Sequence, residues 1–226
     1  MGRRRLAEAL RAQVEGLRDP AYAAGARRYM KSELPYLGVR MPDLRRAWRP
    51  FFAAHPIGGR AAFDAALAEL WDDAEFREER YTALALLERH AEHVTLPLLE
   101  RLIVEGAWWD LVDTVARRVG DLLRRDRAVA DEMRRWSRDP DLWKRRVSII
   151  CQLGFRADTD LALLYGCIEP NLGDREFFVR KAIGWALRDY AWHDPREVDR
   201  YVRANADRLS GLSRREATKN LARLLE

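Results

Sequence analysis

The feature of this sequence that most limits its fold is the spacing of its apolar residues, which recur every three to four positions along almost the whole chain. Such spacing is the period of an amphipathic helix, and we find no convincing run of alternating β-branched residues that would predict a strand. Short segments containing proline, glycine or aspartate interrupt the pattern and divide it into about a dozen helices. The sequence therefore predicts an all-α fold.

The connections between these helices are short, so consecutive helices are expected to pack as antiparallel neighbours. Similar helical segments recur at intervals of about 35 residues, near the period of HEAT-type repeats. These segments are residues 75–90, 108–120, 141–153 and 176–190. We predict a single domain over residues 1–226, built as an α-solenoid of stacked HEAT-like helix pairs whose concave face can bind a long ligand.

The composition is that of a folded protein without a membrane span. The chain has 226 residues, of which 48% are apolar, enough to bury a substantial core. No apolar run is long enough to cross a membrane, and the basic residues at the start are not followed by the apolar core of a signal peptide. We therefore expect a cytoplasmic protein.

The sequence offers little for a metal or an organic cofactor. The cysteines, Cys151 and Cys167, lie in apolar surroundings without CxxC spacing, which favours buried, reduced thiols. His90 and His93 are three residues apart, but no third ligand is evident and the HExxH motif is not matched. No glycine-rich phosphate loop is present either, so we predict neither a metal nor a cofactor.

The net charge is informative about the partner. The formal charge is +5 at pH 7, and most of the cations are arginines. A basic surface favours a polyanionic partner, and the planar guanidinium of arginine can bind phosphate through two parallel hydrogen bonds. A genome rich in G and C would raise the arginine content equally well, so the composition alone leaves both interpretations open.

One helix carries an unusual second face. At 100° per residue, Trp109, Asp113 and Arg117 lie one turn apart beside the apolar stripe, so an indole, a carboxylate and a guanidinium stand in a row. The simplest interpretation is a surface ion pair between Asp113 and Arg117, with Trp109 at the helix rim. The stripe itself consists of Trp108, Leu111, Val112, Val115 and Val119.

Two later helices show similar features. Arg146 lies at the flank of an apolar surface, where a cation needs a partner, and Trp185 lies in a row with Phe178 and Ala182 beside the main stripe of its helix. Taken singly, Arg146 fits an interhelical ion pair and Trp185 fits the core. The predicted core residues here are Trp143, Val147, Ile150 and Cys151 on the first helix, and Val179, Ile183, Ala186, Leu187 and Tyr190 on the second.

These segments together resemble a known family. "WWDLVD" at residues 108–113, "LWKRRVSIICQLGF" at 142–155 and "KAIGWALRDY" at 181–190 occur in the order and at the spacing found in the AlkD-like branch of the DNA alkylation repair family. The resemblance extends from residue 20 to the C-terminus. The combination is much more specific than any one of its parts.

The resemblance implies a HEAT-like solenoid DNA glycosylase that removes N3- and N7-alkylated purines, such as 3-methyladenine and 7-methylguanine, from duplex DNA. By position, the family's active-site residues fall on Trp109, Asp113, Arg146 and Trp185, and all four are intact. The implied enzyme is monofunctional and monomeric, needs no cofactor, and associates with the nucleoid when bound to DNA.

The residue types suit this chemistry. An alkylated purine is already a cation and leaves readily, so the enzyme need only favour positive charge near the sugar. Indole faces do so through their quadrupole, and Asp113 supplies a fixed negative charge and orients water. Arg146 is expected to bind the phosphate beside the lesion.

Further phosphate contacts are expected from residues near the family's DNA-facing segments, although a solvated or ion-paired side chain fits each position equally well. They are Tyr29, Lys31, Arg40, Arg156, Lys181 and Arg188. The chain departs from the family pattern at Arg40 and Met41, where smaller polar residues are expected. The alternative function is a non-catalytic HEAT-like module that binds DNA or protein through its tryptophans, against which the retained Asp113 argues.

Overall fold

A computed structural model describes residues 5–226, and over these residues the chain is helical and contains no strand. The all-α prediction is therefore confirmed. No helix among the described residues is both long and apolar enough to cross a membrane. The α-helices are α1 (Arg5–Val14), α2 (Pro20–Met30), α3 (Met41–Ala54), α4 (Gly59–Leu67), α5 (Arg77–Arg89), α6 (Leu96–Gly106), α7 (Trp109–Arg125), α8 (Val129–Trp136), α9 (Leu142–Ile150), α10 (Leu161–Ile168), α11 (Phe177–Tyr190), α12 (Pro195–Ala204), α13 (Gly211–Thr218) and α14 (Leu221–Leu225).

The internal contacts divide the chain into two compact units, Met1–Val94 and Thr95–Glu226. In the first unit, α3 packs against α1 and α5, and α4 packs against α5. Its centre contains the fully buried side chains of Phe51, Phe63 and Trp71. The prediction of a single domain over the whole chain stays a prediction.

Most helices of the second unit lie in two rows. In the first row, α7, α9, α11 and α13 lie side by side in that order. In the second row, α8 packs against α10, and α10 is joined to α12 by stacking of Tyr165 on Tyr201, whose ring centroids are 4.1 Å apart. Helix pairs thus stack in chain order, as the short connections predict.

Close approach of α7 to α9 depends on a glycine. A Cβ at Gly120 would lie 2.3 Å from the backbone oxygen of Cys151, at the end of α9. No larger residue fits there without separating the two helices. Gly184 has the same role between α11 and α13, where a Cβ would lie 2.7 Å from the backbone oxygen of Ser213. These contacts hold the helices of the first row at short distance.

The predicted core stripes are buried with one exception. On α7, Leu111, Val112, Val115 and Val119 are completely buried. Trp108 is only half-buried, because it precedes the first turn of α7 in an extended conformation (φ −153°, ψ 145°) and does not follow the helical phase assumed for it. The predicted core residues of α9 and α11 are all buried.

Candidate active site

An ion pair joins α7 to α9 in the second unit. Arg146 donates from Nε to Oδ1 of Asp113 at 2.7 Å and from Nη2 to Oδ2 at 2.8 Å. The side chains are 6% and 17% exposed, respectively. Such bidentate pairing fixes the plane of the carboxylate as well as its position. Arg146 thus forms the interhelical ion pair that its position beside an apolar surface suggests. The simplest interpretation of α7 taken alone, a surface pair between Asp113 and Arg117, does not hold, and Arg117 acts on the carboxylate only by longer-range attraction.

The guanidinium also reaches the third helix of the row. Nη1 of Arg146 donates to the backbone oxygen of Phe178, in the first turn of α11, at 2.6 Å. Three of the five N–H groups of an arginine are thus used within the protein. The expected contact of Arg146 with DNA phosphate stays a prediction, and only the remaining N–H groups are available for it.

Aromatic rings lie beside the guanidinium of this pair. The centre of the guanidinium lies 5.9 Å from the ring centroid of Phe178 and 5.9 Å from that of Trp185. Phe178 in turn contacts Trp108 and Trp143, with centroids 5.4 Å and 4.9 Å away. These rings remove water from one side of the ion pair and strengthen its electrostatic interactions.

Burial has a direct effect on the carboxyl group. Desolvation raises the pKa of Asp113 above its ordinary value, with a smaller contribution from the neighbouring charge of Asp110. The hydrogen bonds and positive charge of Arg146 act in the opposite direction. A carboxylate in such surroundings is poorly hydrated, so it interacts strongly with any positive charge that develops next to it.

The two predicted tryptophans occupy different positions around the pair. Trp185 is half-buried on α11 and lies beside Arg146. Trp109 is the first residue of α7, half-buried, one helical turn before Asp113. The structure therefore brings Asp113, Arg146 and Trp185 together and places Trp109 on the same helix as the carboxylate.

The predicted phosphate ligands of the second unit differ in their surroundings. Lys181 and Arg188, both on α11, form ion pairs with Glu216 of α13, the first at 2.8 Å. Together they lower the pKa of Glu216. Arg156 is exposed and begins a short 3-10 turn with a left-handed backbone (φ 52°). The pairing of Glu216 with these two cations was not predicted, because no pattern in the sequence pairs α13 with α11.

The remaining predicted ligands lie in the first unit. Tyr29 is 73% exposed at the end of α2, and Lys31 follows that helix with a left-handed backbone (φ 49°). Arg40 immediately precedes α3, and its guanidinium lies 4.5 Å above the ring of Tyr22. Tyr29 and Met41 line a cavity of about 370 Å³. The cavity wall also contains Tyr22, Gly25, Ala26, Met30, Tyr36, Val39 and Tyr81.

Sequence reasoning missed two parts of the site. The backbone oxygen of Phe178 carries no signal in the sequence, because any residue provides one. Helical phase treats Trp108, Trp143 and Phe178 as separate positions on their own helices. Large aromatic residues at or near the start of α7, α9 and α11 were nevertheless a usable signal for a cluster.

Comparison with known proteins identifies the family. The model of the family described as DNA alkylation repair enzyme matches residues 10–221. Among solved structures, a predicted DNA alkylation repair enzyme from Enterococcus faecalis superposes with a TM-score of 0.80 at 25% sequence identity, over 91% of this chain and 97% of that chain. No curated protein matches. Since the family model covers nearly the whole sequence, this chain belongs to the DNA alkylation repair enzyme family.

Proposed function

We propose that this protein is a monofunctional DNA glycosylase that hydrolyses the N-glycosidic bond of N3- and N7-alkylated purines in duplex DNA. Its family membership supplies the role in repair of alkylated DNA. The observation that carries the finer assignment is the half-buried carboxylate of Asp113, held by two hydrogen bonds from Arg146 beside aromatic rings. Such a group suits a reaction in which positive charge develops on a sugar.

The reaction requires no protonation of the leaving group. Alkylation at N3 or N7 gives the purine a positive charge, and the electrons of the broken bond from C1′ to N9 neutralise it as the base departs. Water then supplies the new bond to C1′, and its proton passes to Asp113. A single carboxylate therefore stabilises the oxocarbenium-like transition state and accepts the proton.

Arg146 acts on this chemistry through Asp113. Its two hydrogen bonds hold both carboxylate oxygens, and its charge opposes the rise in pKa that burial causes. We therefore assign Arg146 as a positioning residue that keeps Asp113 ionised and correctly oriented. The outer N–H groups remain for the phosphate beside the lesion.

Trp109 and Trp185 are proposed to contact the damaged nucleotide. An indole face attracts a cation by about 0.5 to 2 kcal/mol, and more where water is excluded. Tyr29, Lys31, Arg40 and the basic residues of the second unit would bind phosphates along the duplex, independently of sequence. No metal or organic cofactor takes part in this scheme.

The test is a product analysis with duplexes that contain one 7-methylguanine or one 3-methyladenine. The expected products are the free base and an intact strand that breaks only on later treatment with alkali. Strand cleavage without alkali would contradict the monofunctional assignment. Failure to release either base would contradict the glycosylase assignment and favour the non-catalytic binding module.

A further inference from the structure

A cluster of three metal-ligating side chains lies in the first unit, at the end of α5. Helix α5 ends at Arg89, and residues 91–93 form a 3-10 turn directly after it. Among the described residues, His90, Glu92 and His93 are the group whose ligand atoms approach one another closely, all within 4.8 Å. The sequence pattern of the two histidines shows no third ligand, and the structure supplies Glu92.

The distances within the cluster can be compared with those between the ligands of a bound metal. Oε1 of Glu92 lies 3.4 Å from Nδ1 of His90 and 3.8 Å from Nε2 of His93. With metal–ligand bonds of about 2.0 to 2.1 Å, neighbouring ligands in a tetrahedral site are about 3.3 Å apart. The two separations that involve Glu92 are within about 0.5 Å of this spacing, and the separation of the two histidine nitrogens is at most 4.8 Å.

The histidines are held in place by their surroundings. Both imidazole side chains are only 19% exposed, and their ring planes differ by 3°. Both rings contact the buried ring of Phe63, with centroids 6.2 Å and 5.3 Å away. The backbone is fixed as well, because the amide of His90 donates to Leu86 at 3.0 Å and that of His93 donates to His90 at 2.9 Å. Because packing and backbone hydrogen bonds restrict both histidines, these two side chains lose less conformational entropy when they bind an ion.

We propose that His90, Glu92 and His93 form a binding site for one divalent transition-metal ion of the Zn²⁺ class. Two imidazole nitrogens and one carboxylate oxygen suit Zn²⁺ and its neighbours, not Mg²⁺ or Ca²⁺, which prefer oxygen ligands. Water completes the coordination at the exposed side, where Glu92 is 62% exposed. A neighbouring cation, Arg60, donates to the backbone oxygen of His93, and its charge is balanced by Asp64 at 2.8 Å.

Binding would stabilise the end of α5 and is independent of the proposed glycosylase reaction. An ion that binds only the folded chain raises its melting temperature, and this readout needs no catalytic activity. The chain contains four histidines, so the other two, His55 and His193, provide a matched control. His55 bonds to the backbone oxygen of Phe51, and His193 is exposed.

The experiment uses tag-free, chelator-treated protein, titrated with Zn²⁺ in a calorimeter and with Co²⁺ in a spectrophotometer. We expect one ion per chain, visible Co²⁺ bands without a thiolate signal, and a higher melting temperature with Zn²⁺. Glu92→Gln should bind at least tenfold more weakly, and the double variant His90→Asn, His93→Asn should not bind. The control variant His55→Asn, His193→Asn should bind as the wild type does.

Three results would overturn the proposal: no binding of metal by the wild type, unchanged binding by the double variant His90→Asn, His93→Asn, or an equal loss of binding in the control variant. Circular dichroism of the metal-free variants shows whether each one folds. If the double variant is less stable without metal, Glu92→Gln shows whether weaker binding results from the loss of a ligand, because this exposed side chain contributes little packing.

Discussion

Replacing Arg146 by methionine tests the electrostatic account of the site. The change removes both hydrogen bonds to Asp113 and the third to Phe178 while keeping much of the side-chain volume. Loss of one partner from a buried ion pair costs about 3 to 5 kcal/mol if the other stays charged. Asp113 is 17% exposed, so it avoids part of this cost by taking up a proton. We therefore expect a lower melting temperature and a further rise in the pKa of Asp113.

The assay is the single-turnover rate of base release as a function of pH. In the wild type, activity requires the carboxylate, so it is lost as the pH falls through a pKa that burial has raised above the ordinary value. In Arg146→Met this acid limb moves to higher pH. On the acid side of the pH–rate profile, where the rate falls as Asp113 takes up a proton, a shift of one pH unit makes the variant about tenfold slower than the wild type at the same pH. Part of the activity returns at high pH.

The matched control is Arg145→Met on the same helix. Arg145 pairs with Asp174 at 3.1 Å, and its side chain is 16% exposed. Arg145→Met therefore removes an ion pair of similar burial that does not involve Asp113. Its pH profile should follow that of the wild type. An acid limb that stays in place in Arg146→Met would refute the argument that Arg146 keeps Asp113 ionised.

Two further predictions concern helix packing and charge. Gly120→Ala should lower the free energy of unfolding by about 1 to 3 kcal/mol in a urea titration, because the new Cβ meets the backbone oxygen of Cys151. A Cβ at Gly166 would have no atom within 4 Å, so Gly166→Ala should not lower the free energy of unfolding. Equal losses of free energy in the two variants would refute the packing argument. Glu216→Gln should release the two cations it pairs and tighten binding to undamaged duplex several-fold, with a steeper dependence on salt. Unchanged affinity and salt dependence would show that these cations do not face DNA.

The sequence predicts the helices and their buried stripes well, because the apolar period is a local signal. Leu111 and Val115 are buried as predicted, and so are their equivalents on α9 and α11. Trp108 is the exception, since a residue that precedes a helix does not follow its phase. Local patterns determine which face a residue occupies, and that is enough to find the core.

The partners of the site residues were harder to predict. Spacing of four residues suggested Arg117 as the partner of Asp113, yet Arg146 takes this position from another helix. The register between α7 and α9 depends on tertiary packing, including the close contact at Gly120, which no helical period encodes. Glu92 was missed for a related reason, because its approach to the histidines depends on side-chain rotamers after the end of α5.

We propose that Asp113 carries the chemistry, and comparison of Asp113→Asn with Asp121→Asn tests this role directly. Both residues lie on α7, and Asp121 forms a surface pair with Arg118 at 3.2 Å. The measurement is single-turnover release of 7-methylguanine from a defined duplex, at protein concentrations that saturate binding. We expect Asp113→Asn to bind the duplex but to release the base about a hundredfold more slowly, while Asp121→Asn matches the wild type. Equal rates for Asp113→Asn and the wild type would contradict a catalytic role for Asp113.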